Sequence, residues 1–106
     1  MRETLINQEI ILAEDARLVK RLWKVAKSRD FPQGLEFSYQ LLFFDRTKWI
    51  QIARIDNQMH GGKQGTHIHI FGRRKVKWED LAFEEAEKRV LGIGERMLRS
   101  IRGRKK

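Results

Sequence analysis

Apolar and polar residues alternate through the middle of the chain, in segments rich in aromatic and aliphatic side chains. From Phe37 to Phe43 every second residue is aromatic or leucine, so one face of this segment is strongly apolar. Such alternation predicts β-strands, and the short polar breaks between the segments favour antiparallel pairing. The predicted strands cover residues 35–44, 48–56 and 66–71, and an optional fourth strand covers 75–78.

Apolar residues recur at helical spacing on either side of these strands. Between residues 13 and 28 they lie three or four positions apart, while lysines and arginines occupy the opposite face, which predicts an amphipathic helix with a cationic back. Residues 79–101 begin with acidic side chains and end with arginines, as the helix macrodipole favours, and predict a long C-terminal helix. Gly92 and Gly94 are unfavourable inside a helix, so they suggest close packing against the sheet or a bend.

These elements predict one α+β domain over residues 1–106, because a chain of this length forms a single core of modest size. We expect a three- or four-stranded antiparallel β-meander, with the N-terminal amphipathic helix and the long C-terminal helix packed on it. Both faces of the predicted sheet carry apolar residues, so we also expect a partner surface, which a homodimer would supply.

The chain has a formal net charge of +9, which favours RNA or another polyanion as a partner. Basic clusters supply the candidate nucleic-acid-binding residues Lys20, Lys24, Lys27, Arg73, Arg74, Lys75 and Lys77. No cysteine is present, which excludes disulfides, thiolate nucleophiles and most structural zinc sites. The first dozen residues resemble neither a signal peptide nor a membrane span, so we expect a cytoplasmic protein without membrane contact.

All three histidines fall within one short stretch that follows the second predicted strand. His67 and His69 alternate with two isoleucines, so their imidazoles share one sheet face, with Cβ atoms roughly 6.5–7 Å apart. Three interpretations stay open. The histidines are structural strand residues, or they bind a metal with His60 or Asp56 as a third ligand, or they carry out acid–base catalysis.

The catalytic interpretation is RNA cleavage that needs no metal or other cofactor. One imidazole would remove the proton of a ribose 2′-OH while another group protonates the leaving 5′-oxygen, and histidine suits both tasks because it exchanges protons near neutral pH. Arg54 would stabilise charge on the phosphoryl group, and Asp56 would orient a histidine or pair with the arginine. The candidate catalytic residues are therefore His67, His69, His60, Arg54 and Asp56.

Arg54-Ile55-Asp56-Asn57, followed by a glycine-containing loop with a histidine and then a His-x-His pair, resembles the TumE family of small toxins from toxin–antitoxin systems. The resemblance covers roughly residues 35–98, and the basic N-terminal segment is not a feature of that family. The resemblance implies a biological role, a toxin restrained by an antitoxin protein, and does not define the reaction. Two alternatives belong to other classes: a non-catalytic nucleic-acid-binding module and a small metal-binding protein.

Overall fold

Across the described parts of the chain, residues 2–58, 65–72 and 76–103, six antiparallel strands lie side by side in chain order. In this computed structural model a single C-terminal helix of the described residues packs on one side of the sheet. The elements are β1 (Glu3–Ala13), β2 (Ala16–Lys24), β3 (Leu35–Phe44), β4 (Trp49–Asp56), β5 (Thr66–Ile70), β6 (Lys77–Glu79) and α1 (Phe83–Gly103). Because each strand pairs with its neighbours in sequence, β1 and β6 are the two outer strands.

The predicted N-terminal helix is wrong, because residues 13–28 contribute instead to a β-hairpin. β1 and β2 pair from Glu3 opposite Lys24 to Ala13 opposite Ala16. β2 also pairs along its full length with β3. Its backbone N–H and C=O groups are therefore satisfied between strands rather than within a helical turn.

Lys20 explains why the pattern of β2 misleads. The helix-facing positions of β2 are every second residue, and Leu18 and Leu22 on either side of Lys20 are buried there. The Lys20 Nζ lies 2.5 Å from Glu87 Oε1 of α1 and 5.2 Å from the centre of the Phe83 ring. A lysine at a helix-facing position hides the two-residue alternation, so the remaining apolar residues match a helical spacing.

The predicted meander of three or four strands with two helices is likewise wrong in its size. The sheet of the described residues has six strands, because the N-terminal hairpin adds two. β5 ends at Ile70, and the last strand lies at Lys77–Glu79 rather than at 75–78. As a result, residue 79 belongs to a strand, and α1 begins at Phe83.

The hydrophobic core lies between the sheet and α1. Ala86, Val90, Ile93 and Leu98 of the helix are buried, and they meet the side chains of the central strands. Glu84 and Glu85 occupy the first turn of α1, where the helix dipole favours negative charge. In the described part of the chain, no helix combines the length and the apolar character needed to cross a membrane.

Gly94 allows α1 to approach the sheet closely. A Cβ atom at this position would overlap the side chain of Leu41, which is fully buried in β3. At Gly92 the atom nearest to an added Cβ would be Arg96 Nη1, at 3.9 Å. Close packing therefore explains Gly94, as the sequence suggests, whereas nothing in the structure explains Gly92.

Candidate functional site on the far face of the sheet

The predicted catalytic residues of the described chain lie on the sheet face opposite α1, here called the far face. Tyr39 marks the helix face, because its hydroxyl donates to the carbonyl oxygen of the first residue of α1 at 3.0 Å. Ile55 and Ile68 lie in the same cross-strand row as Tyr39 and are buried. Side chains alternate along a strand, so the adjacent Asp56 and His67 point to the far face.

Two cross-strand rows bring four of the predicted residues together. Asp56 of β4 lies directly opposite His67 of β5, and Arg54 lies directly opposite His69. The ring centres of the two histidines are 6.3 Å apart. These residues form one patch, the far-face cluster, which consists of Arg54, Asp56, Gln58, His67 and His69.

Asp56 is the centre of the far-face cluster and is fully buried. Its Oδ2 accepts a hydrogen bond from Arg54 Nε at 2.9 Å, and its Oδ1 accepts one from the Gln58 backbone N–H at 3.0 Å. His67 Nδ1 lies 3.3 Å from the same Oδ1. A buried carboxylate is costly unless it is paired and hydrogen-bonded, and these contacts meet that requirement.

Arg54 connects the buried part of the cluster to the surface. Its side chain is about one quarter exposed, and its Nη2 donates to Gln58 Oε1 at 2.7 Å. Gln58 Nε2 donates in turn to Glu36 Oε2 at 2.8 Å, which also accepts a hydrogen bond from Arg2. The guanidinium is thus held in one orientation, on a side chain that stays partly accessible.

The two histidines differ in exposure. His67 is fully buried, and its ring centre lies 3.8 Å from that of Trp78 in an edge-on arrangement, whereas His69 is half-buried. His67 Nδ1 faces two oxygens of Asp56, the carboxylate at 3.3 Å and the backbone carbonyl at 3.2 Å. Two acceptors at Nδ1 favour the tautomer with its proton on Nδ1. Asp56 therefore both orients a histidine and pairs with the arginine, the two roles that the sequence suggests.

Asn57 has a structural role in the Arg-x-Asp-Asn segment. Its Oδ1 accepts a hydrogen bond from the Phe37 backbone N–H at 2.8 Å, and its Nδ2 donates to the Leu35 carbonyl oxygen at 3.0 Å. These bonds continue the pairing of β3 beyond the last residue of β4. Arg54 and Asn57 are the half-buried residues of this segment, and the Asn57 amide is occupied by these backbone contacts.

The metal interpretation gains no support from the described residues. In residues 2–58, 65–72 and 76–103, no group of three or more His, Asp or Glu side chains is arranged to hold a metal ion. His60, a predicted catalytic residue and candidate third ligand, lies outside the described residues. The cluster joins one carboxylate to an imidazole and a guanidinium, and the guanidinium would repel a cation bound there.

The described strand residues of the predicted cationic surface, Lys20, Lys24 and Lys77, lie in rows of the helix face. Lys20 lies on the helix face against Glu87, so it does not join the far-face cluster. Lys24 and Lys27 are exposed at the end of β2 and beyond it, and Lys77 is exposed on β6. The remaining members of the predicted set, Arg73, Arg74 and Lys75, lie outside the described residues.

Two cations of the N-terminal basic cluster that are outside the predicted binding set share the far face with the far-face cluster. Arg21 lies in the row of Ser38 and Asp56 and is exposed, and Arg17 is on the same face of β2. The guanidinium of Arg17 lies 4.3 Å from the centre of the Trp49 ring. Spacing alone does not place them on this face, because Lys20 interrupts the alternation of β2.

The comparisons with known proteins give no further assignment: no protein-family model matches the chain, and neither the curated proteins nor the solved structures contain a match.

Proposed function

We propose that the protein is a toxin resembling the TumE family, and that it cleaves RNA without a metal by contacts from His69 and Arg54. The observation that carries the proposal is the register of β4 and β5, which sets the half-buried His69 directly opposite the partly exposed Arg54. Residues opposite each other on one face have Cβ atoms about 4.5–5.5 Å apart. An imidazole and a guanidinium at this separation can contact the same phosphodiester.

The chemistry assigns one step to each group. Nε2 of His69 is buried, so Nδ1 is assigned as the base. His69 Nδ1 takes the proton of the ribose 2′-OH, the 2′-oxygen attacks phosphorus, and the bond from phosphorus to the 5′-oxygen breaks, leaving a 2′,3′-cyclic phosphate. Arg54 neutralises the charge that builds up on the phosphoryl oxygens, and its bonds to Asp56 and Gln58 hold it in place before substrate arrives. The burial of His67 makes it a positioning residue, so His60 is the candidate for protonating the 5′-oxygen.

The decisive variant is His69→Ala, measured on a labelled RNA in the presence of a chelator. General acid–base catalysis contributes about 10²- to 10⁴-fold, so the cleavage rate should fall by that factor while RNA affinity and the melting temperature change little. Gln40→Ala is the matched control, because Gln40 lies in the same row next to Arg54. Unchanged cleavage by His69→Ala would refute the assignment of the base, and loss of cleavage by chelation alone would favour a metal.

A non-catalytic nucleic-acid-binding module is the second candidate, and the burial of His67 against Trp78 favours it. In that case the far-face cluster only stabilises the sheet, and cations such as Arg21 and Lys24 bind phosphates. Both candidates require RNA affinity that decreases steeply with salt, because bound cations displace counterions. A binder without nuclease activity would give this salt dependence but no cyclic-phosphate product, whereas affinity that is constant across salt would refute both.

The role as a toxin has its own test in cells. Expression of the protein should arrest growth, and His69→Ala should relieve the arrest at equal protein level if RNA cleavage is the cause. If a neighbouring reading frame encodes a small antitoxin, its coexpression should restore growth. Growth arrest that is equally strong with His69→Ala would separate toxicity from the proposed chemistry.

A further inference from the structure

The two outer strands of the sheet differ in how they expose their backbone. β6 has three residues, and Lys77 at its start is exposed. β1 has eleven residues, and none of them is Lys, Arg or Pro, the residues that commonly protect an edge strand from pairing. Its register with β2 is regular from Ile6 to Ile11, with irregularities only outside this segment. β1 therefore presents a straight segment with backbone groups available for a further strand.

Apolar side chains are also concentrated on β1. Among the described residues, five large hydrophobic side chains are exposed, and three of them, Leu5, Ile11 and Leu12, belong to this strand. Exposed apolar residues on a long outer strand mark a site for pairing with another chain. The ionisable side chains of β1 are Glu3 and Glu9, so this edge is acidic in a chain with a net charge of +9.

We propose that β1 pairs antiparallel with β1 of a second copy of this chain, with Gln8 opposite Gln8 of the second copy at the two-fold axis. In this register Ile6 lies opposite Ile10 of the second copy, and the two-fold axis repeats this pair on the other side of Gln8. Ile6 and Ile10 are half-buried and follow the buried Leu22 and Leu18 in their cross-strand rows. The apolar rows of the two cores would therefore run on across the interface.

The side chains on the opposite face of β1 favour this register over the two registers shifted by one residue. It places Asn7 opposite Glu9 of the second copy, where the Asn7 amide can donate to the carboxylate. Moving the axis to Glu9 would set Glu9 opposite Glu9, which is unfavourable for like charges directly opposite. Moving it to Asn7 would set Ile6 opposite Gln8 and lose the apolar pairs. Glu9 already accepts a hydrogen bond from Arg17 at 2.8 Å, so its charge is partly balanced within each chain.

The chain contains no cysteine, so a single introduced cysteine reports this contact directly. In the variant Gln8→Cys the two Cβ atoms lie about 4.5–5.5 Å apart, close to the roughly 3.5–4.5 Å that a disulfide joins. Under mild oxidation we expect nearly complete conversion to a covalent dimer on a non-reducing gel. Glu3→Cys is the control, because its partner in the second copy is about ten residues, or roughly 33 Å, away along the strand.

A second pair of variants tests the register without crosslinking. Asn7→Glu sets two carboxylates opposite each other at two places and should shift sedimentation at micromolar concentration from dimer to monomer. The double variant Asn7→Glu, Glu9→Asn restores an amide opposite a carboxylate at the wild-type net charge and should restore the dimer. A monomeric wild-type protein, equal crosslinking of Glu3→Cys, or a double variant that stays monomeric while retaining the wild-type circular dichroism spectrum would each overturn the proposal.

Discussion

The two faces of the sheet reach the same degree of burial by different chemistry. Ile55 and Asp56 are neighbours in β4, and both are fully buried. Ile55 points to the helix face and lies in an apolar row between Tyr39 and Ile68. Asp56 points to the far face and contacts the Arg54 guanidinium and the His67 imidazole. A chain can therefore bury a strand residue on a polar face when the neighbouring strands supply donors in register.

This difference separates two uses of the same strand. The helix face gains stability from apolar area removed from water, so its residues tolerate little change in volume. The far face gains stability from a set of hydrogen bonds that hold Arg54 in place, while His69 stays half-buried. Fixed polar groups next to accessible ones are what a preorganised site requires.

The largest expected effects come from truncating the two neighbours in β4. Ile55→Ala should lower the free energy of unfolding by about 2–5 kcal/mol, because it leaves a cavity under α1. Asp56→Ala should cost about 3 kcal/mol, because it leaves the Gln58 N–H without its acceptor and the Arg54 guanidinium without its counter-ion. Urea unfolding followed by tryptophan fluorescence measures both.

Asp56→Asn is the matched control for this comparison. The amide keeps the shape and one acceptor oxygen, so the loss should be about 1–2 kcal/mol. If Asp56→Ala unfolds with a midpoint close to that of the wild type, the far face contributes little to stability and the contrast between the faces is only one of composition.

Local alternation predicted the central strands well, and the reason lies in their residues. In β3 the residues Phe37, Tyr39, Leu41 and Phe43 are all buried on one face, as their spacing requires. The same rule placed both histidines of β5 on the face opposite to its isoleucines. Because β3 and β4 are buried in the middle of the sheet, their pattern depends on short-range sequence alone.

The N-terminal hairpin could not be predicted in the same way. Its identity depends on contacts between distant residues, such as Lys20 with Glu87 of α1, and a helix-facing lysine erases the alternation. β1 has little pattern of its own, because most of its residues are exposed at the edge. The sequence grouped Arg54, Asp56, His67 and His69 as candidates, and the register of β4 and β5 brings them together. The burial of His67 depends on Trp78, a contact that spacing does not reveal.

A smaller effect tests how tightly the helix face is packed. Gly94→Ala should lower the free energy of unfolding by about 1 kcal/mol, since an overlap with Leu41 costs about 1–3 kcal/mol and the better helix propensity of alanine returns about 1 kcal/mol. Gly92→Ala meets no close neighbour among the described residues, so it should stabilise the protein by up to about 1 kcal/mol. Equal shifts in melting temperature for the two variants would mean that α1 does not approach β3 this closely.

An effect of similar size concerns Tyr39, a polar group that is fully buried on the helix face and the single tyrosine of the chain. Burial, and then the negative charges of Glu87 and Glu84, raise the pKa of Tyr39 well above its usual value near 10. Tyr39→Phe removes its hydrogen bond to the Phe83 carbonyl and should cost about 1 kcal/mol at neutral pH.

The pH dependence gives this prediction its sign. A pKa that is raised in the folded state means that the unfolded chain loses the phenolic proton first, so wild-type stability should decline as pH rises above about 10. Tyr39→Phe has no phenolic proton at this position and lacks this loss. The difference in free energy of unfolding between the wild type and Tyr39→Phe should therefore shrink as pH rises above about 10. Phenolate absorbance near 295 nm should appear only with unfolding. Reversible titration of the folded protein near pH 10 would show that Tyr39 is accessible to water, and that the helix face does not bury it.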